Sequence, residues 1–195
     1  MKNLILLLLI LSGTYGFAQD QNQISVSLGI GQNSMLQDES LSNNTIHGEK
    51  FNSIELRYVH NFIKKFNRRK VWALETGIMY AKHEVVISEP ANMELENIKI
   101  ITVPTYIRYT FLKYYYVNGG LLFTMELDSN EHHNRSKQDG MGLGLGVGAE
   151  YHFGKNFLAF INPFIRQHNL IQFNALEYHD ALTEYGIKFG LAYEF

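Results

Sequence analysis

Glu55, Arg57, Glu75, Arg108, Glu126, Glu150, Arg166, Glu184 and Lys188 are the side chains of this sequence best suited to act on one another. Each falls on the polar face of a segment whose residues alternate in polarity with a period of two. Strands send alternate side chains to opposite faces, so these carboxylates and cations share one surface if the segments share one sheet. Charges drawn together away from water pair, because a lone buried charge is costly and a partner removes much of that cost. The chemistry expected is a network of ion pairs filling a narrow interior, with ion conduction through that space as the sharper alternative.

Other constellations are weaker. His47, His83, His132, His133, His168 and His179 fall in or beside polar connections, among Glu84, Glu89, Glu94, Glu96, Glu131, Asp139, Glu177 and Asp180. Imidazoles and carboxylates converging from several loops are able to hold a transition metal. No pair here has ligand spacing, so the histidines are read as solvated loop residues, with no metal and no cofactor expected. Ser34, Ser40, Ser42, Ser88, Ser129 and Ser136 lack the surroundings of a nucleophile, and no catalytic residue is assigned. Gly140, Gly142, Gly144, Gly146 and Gly148 imitate a phosphate loop, but their strict period of two says strand. Lys64, Lys65, Arg68, Arg69 and Lys70 crowd one short turn, which would face anionic headgroups or dock a protein partner.

The elements that must position these residues are strands. Alternation predicts them over 23–32, 53–62, 71–82, 98–109, 114–127, 140–153, 157–167 and 185–195. Short links at 63–70, 111–113 and 154–156 alternate with long polar links at 33–50, 83–97, 128–139 and 168–182. An all-β fold follows, a closed antiparallel transmembrane β-barrel of about eight strands, with short turns on the periplasmic side and long loops outside. Pro104 and Pro163 interrupt predicted strands and call for local bulges.

Lys2, an apolar run over 4–11 and Gly16-Phe17-Ala18 read as a signal peptide over 1–18, leaving 19–195 as the barrel domain. The run is shorter than the roughly 20 residues a spanning helix needs. With no cysteine, lipid attachment and disulfides are excluded. A 46% hydrophobic chain of formal charge -2 is neither disordered nor a nucleic-acid binder.

Glu75-Thr76-Gly77-Ile78-Met79-Tyr80, Val103-Pro104-Thr105-Tyr106-Ile107-Arg108-Tyr109, Val117-Asn118-Gly119-Gly120, the stretch 144–151 and the aromatic carboxyl end together carry a likeness. On them the chain resembles the PorT-like outer-membrane β-barrel family of Bacteroidota. The resemblance implies an outer-membrane location and a structural or binding role, in envelope maintenance or secretion, rather than catalysis. It also implies that Phe189, Leu191, Tyr193 and Phe195 form the address read by the barrel-assembly machinery. Partners would be outer-membrane lipid, that machinery, and a periplasmic or extracellular protein. A lipid-modifying barrel enzyme of the outer leaflet, a small ion-conducting barrel and a soluble periplasmic carrier of a lipophilic ligand stand as rivals.

Overall fold

A computed structural model describes residues 22–36, 45–62, 70–89, 92–112, 114–127, 137–173 and 181–195. The segment 1–18, the turn residues Lys64, Lys65, Arg68 and Arg69, and His132, His133 and His179 lie outside the described residues; Lys70 is the first residue of a strand. The strands are β1 (Gln23–Leu36), β2 (Thr45–Asn61), β3 (Lys70–Glu89), β4 (Asn92–Phe111), β5 (Tyr115–Glu126), β6 (Gly140–Phe153), β7 (Phe157–Gln172) and β8 (Ala181–Glu194).

Each strand pairs antiparallel with its neighbours in sequence, and β1 pairs with β8, so the sheet closes as a barrel. The seam runs from Gln23↔Glu194 to Leu36↔Ala181. Beyond it Asn22 and Phe195 exchange both backbone hydrogen bonds, at 3.1 and 3.0 Å. Tight turns join β4 to β5 and β6 to β7 at the end that also carries both ends of the barrel chain. One uses Gly154 at φ 81°, a left-handed conformation that glycine adopts without steric cost.

Outward side chains are apolar from Trp72 to Tyr80 on β3 and from Tyr109 to Ile101 on β4, apart from Thr76 and Thr105. That is the length of a membrane-spanning strand, roughly 9 to 11 residues. Aromatic pairs line the turn end of this band: Trp72 with Tyr109 at 4.6 Å, Phe111 with Tyr115 at 6.2 Å and Phe153 with Phe157 at 6.2 Å between centroids. Such a girdle suits a membrane-water boundary.

Strands β3 and β4 are each 20 residues long, so they continue well past the band. There the polarity inverts. Lys82, Glu84, Asn97 and Lys99 point outward, while Ala81, Val85, Ile98 and Ile100 are buried inside. The long connections expected at 33–50, 83–97 and 168–182 are thus corrected, since much of each is strand. The charged residues that looked like loop are the wet outer face of a sheet whose inner face still packs.

The bulges expected at the prolines are also corrected. The β3–β4 ladder passes from Thr76↔Thr105 to Met79↔Thr102 without a shift, and β6–β7 passes likewise from Gly146↔Phe164 to Ala149↔Ile161. Each proline loses rungs on one side while Pro104↔Leu122 and Pro163↔Ile187 keep the other. Register shifts occur instead between Gly48 and Phe51 on β2 and between Met141 and Leu143 on β6, the latter facing Asn169 at φ 58° on β7.

Inside, glycine makes room for rings. A Cβ at Gly144 would collide with Tyr106, and one at Gly148 with Tyr116. Gly144 and Gly148 therefore form a lane on β6 into which aromatic side chains from β4 and β5 lean, while Gly146 makes room for Asn118 and Asn162.

Leu145 lies on the outward apolar row and is 65% exposed. Leu145→Arg should lower stability in lipid by roughly 2 to 4 kcal/mol, whereas Leu95→Arg, outward on the extension beyond the band, should cost no more than about 1 kcal/mol. Urea unfolding from lipid vesicles checks this; equal costs would remove the membrane band from this stretch.

Candidate functional site

The buried charges come from inward positions of β2, β3, β4, β6, β7 and β8. Glu55, Arg57, Glu75, Arg108, Glu150, Arg166, Glu184 and Lys188 are all buried there. Arg57 Nη1 stands 3.3 Å from Glu75 Oε1, and Lys188 Nζ lies 2.9 Å from Glu55 Oε2 and 3.9 Å from Glu75 Oε1. Arg166 continues the chain, with Nη2 3.4 Å from Glu55 and Nη1 3.6 Å from Glu184. Arg108 pairs with Glu150 across the β4–β6 face. Each carboxylate thus has a cation, which a narrow interior requires.

Rings and amides complete the arrangement. The guanidinium carbons of Arg57, Arg108 and Arg166 lie 4.0, 3.8 and 4.2 Å from the ring centroids of Phe160, Tyr116 and Phe164. Those contacts satisfy the flat faces of the cations while their edges meet carboxylates. Asn118 Nδ2 donates to Glu75 at 3.0 Å, and Arg57 Nε donates to Ser25 Oγ at 3.0 Å. Glu126 is placed differently. It sits half-buried at the far end of β5, where its Oε2 accepts the Gln138 amide at 2.9 Å.

Two histidines read as solvated loop residues are corrected by the structure. His83 and His168 are fully buried, with their Nε2 atoms 3.1 and 3.0 Å from Glu184 Oε1. His168 Nδ1 also meets Thr124 Oγ1 at 2.8 Å, and Thr124 meets Thr102 at 3.1 Å. The signal was available in the phase of the strand: His83 alternates with buried Ala81 and Val85. His47 is exposed on β2. Among the described residues no group of three or more His, Asp or Glu side chains is arranged to hold a metal ion.

Thr124, His168 and Glu184 have the order of a nucleophile, a base and an orienting carboxylate. All three are fully buried, and apolar side chains roof them. That roof is the cluster of Met35, Met79, Ala81, Val85, Ile98, Ile100 and Leu182; a second cluster, Leu158, Phe160 and Ala192, floors the charged layer near the turn end. The interior therefore has three layers, an ionic one between two apolar clusters, with buried His83 and Gln138 set among the side chains of the upper one. Outside the wall, a groove of about 670 Å³ runs over Trp72, Ile107, Tyr109, Val117, Gly119, Leu145 and Pro163. It lies on the outward, apolar face of the wall.

The model of the outer membrane protein beta-barrel domain family matches residues 4–195. No curated protein matches the chain. The crystal structure of OprG, an outer membrane protein from Pseudomonas aeruginosa, is similar at TM-score 0.53 and 13% identity, over 90% of this chain and 96% of that one. The solid-state NMR structure of the outer membrane protein AlkL in lipid bilayers is similar at TM-score 0.53 and 14% identity, over 91% and 90% of the two chains. At these identities the likeness is one of fold.

Removing one partner of the ionic layer strands the other. Glu75→Ala or Arg57→Ala should lower stability by roughly 3 to 5 kcal/mol. Lys155→Ala, on an exposed turn, should change it by less than about 0.5 kcal/mol. Equilibrium unfolding in one detergent would compare the three, and equal losses would mean that the interior charges are not paired.

Proposed function

The chain belongs to the outer membrane protein beta-barrel domain family, and from that premise we propose that it works as a sealed outer-membrane scaffold with a structural or binding role, not as a pore or a catalyst. The observation that carries this reading is the three-layer interior. Eight strands leave an interior just wide enough for side chains. Here Arg57, Arg166, Tyr116, Phe51 and Lys188 are among the large side chains that fill it. A pore needs a continuous wet path, and a catalyst needs its base within reach of substrate; apolar roof and floor oppose both.

What remains to act are the outer surfaces. The extension of β2, β3 and β4 beyond the band carries alternating charge and suits an extracellular protein, while the turn end suits a periplasmic one. The strand motifs that resemble the PorT-like family of Bacteroidota favour work in envelope maintenance or secretion. Assembly would require the machinery that inserts barrels to read Phe189, Leu191, Tyr193 and Phe195. Of these, Phe189, Leu191 and Tyr193 face outward opposite Leu28, Val26 and Ile24 of β1, so the same row that is read also closes the seam.

Two measurements test the proposal. In planar bilayers the purified protein should give no reproducible openings of porin-like conductance; stable openings of that size would sink the sealed reading. Deleting residues 193–195 removes the last rungs of the seam and should leave little protein integrated in the outer membrane by fractionation. Normal membrane levels of the truncated chain would separate assembly from this row.

A further inference from the structure

We propose that the groove on the outward wall binds a phospholipid of the periplasmic leaflet whose acyl chain carries a hydroxyl near its middle. Pro163 creates the demand. Backbone groups of even-numbered residues on β7 point to β8, as the Asn156 carbonyl just before the strand does in accepting Glu194 N at 2.7 Å, so those of odd-numbered residues point to β6. On β6 the even-numbered residues point to β5, as Glu150 N does in donating to the Tyr114 carbonyl at 2.7 Å, and the odd-numbered ones point to β7. Counting in step between Gly146↔Phe164 and Ala149↔Ile161 sets Val147 opposite Pro163. The Val147 carbonyl therefore faces a ring nitrogen that has no hydrogen to give.

The wall beside it does not replace that donor. The outward neighbours Leu145, Ala149, Ile161 and Ile165 are apolar, and Asn162 turns inward, where its Nδ2 donates to Asn118 Oδ1 at 3.5 Å. The break at Pro104 differs, because Thr76 and Thr105 bring two hydroxyls to its outward face. Depth rules out water and headgroups as the donor at Val147. From Phe153 in the aromatic girdle to Val147 is about 20 Å along β6, or roughly 15 Å along the membrane normal at the usual strand tilt. That is past the middle of a hydrocarbon band about 25 Å tall, where an unmet carbonyl finds no water. The groove, of about 670 Å³, joins the two levels: Trp72 and Tyr109 line it at the girdle, Val147 and Pro163 line it at mid-depth, and Gly119 adds no side chain to its floor. An acyl chain descending from the periplasmic interface fits that path, and only a donor on the chain itself arrives at the carbonyl.

The test uses the full chain in nanodiscs containing a phospholipid with a mid-chain hydroxystearoyl group or its stearoyl counterpart, and native mass spectrometry reads the lipid retained. Wild-type protein should prefer the hydroxylated lipid by about tenfold. Pro163→Ala restores the missing amide to the Val147 carbonyl, so it should abolish the preference without lowering stability. Pro104→Ala should keep the preference. Heat-modifiable gel migration confirms that each variant is folded. A second measurement reads the hydrogen bond itself. Val147-Gly148 is the only Val-Gly step in the sequence, so carbonyl-13C valine with 15N glycine isolates the Val147 carbonyl by NMR. Its carbon resonance should move downfield when the hydroxylated lipid replaces the stearoyl one. The proposal is overturned if the two lipids are retained equally, if Pro163→Ala keeps the preference, if Pro104→Ala loses as much, or if the Val147 resonance does not move.

Discussion

A backbone amide facing hydrocarbon has no water to bond, so a sheet that crosses a membrane must close on itself. The pairing of β1 with β8 meets that condition, and the remaining architecture follows from it. Closing on eight strands fixes an interior that side chains must fill. Filling it with rings demands glycine opposite them, which the β6 lane supplies against Tyr106 and Tyr116. Placing inward-facing polar residues there demands compensation, because the space is too small to hydrate each charge in full.

The ionic layer answers that demand in a particular way. Its links run across the barrel as well as along the sheet. Glu55 on β2 meets Arg166 on β7 and Lys188 on β8, and Glu75 on β3 meets Lys188. These walls are not adjacent in the sheet, so the pairs brace the barrel as tie-rods would. Buried ion pairs add little net stability compared with apolar packing, since desolvation offsets most of their attraction. Their effect here is on register. A one-residue slip of any strand would turn its charged members out into lipid and strand their partners inside, at a cost no alternative pairing recovers.

How much of this could be read from the sequence depended on which solvent lay outside each strand. Where hydrocarbon lay outside, alternation between apolar and small or charged residues marked the strand clearly, and the bounds of β6 agree with the reading of 140–153. The inward positions of Glu55, Arg57, Glu75 and Lys188 followed from the same phase. Where water lay outside, the stretch 83–97 looked like loop because the outer face had turned polar, although all of it but 90–91 is described as strand. The inner partners Ala81, Val85, Ile98 and Ile100 kept the period of two, but with its sign reversed. Contacts across the lumen, such as Glu184 with His83 and His168, depend on barrel diameter and strand stagger, and no local pattern encodes those.

The prolines misled for a related reason. A missing amide was expected to force an extra residue into the strand, yet each ladder loses rungs and resumes in step, held by intact pairing on the other side. The real irregularities fall where the polarity inverts. His83 faces Phe51 beside the shift on β2, and His168 precedes Asn169 within the shift on β7. A strand passing from lipid to water must exchange a charged inner face for an apolar one, and an added residue re-aims side chains at that step. The two imidazoles lie at the edge of those shifts, each still in the inward phase of its own strand, and both reach Glu184, the uppermost carboxylate of the ionic layer beneath the Leu182 roof. The level of the membrane surface is thus written inside the barrel as well as outside, in the last buried charge and the first buried aliphatic of β8.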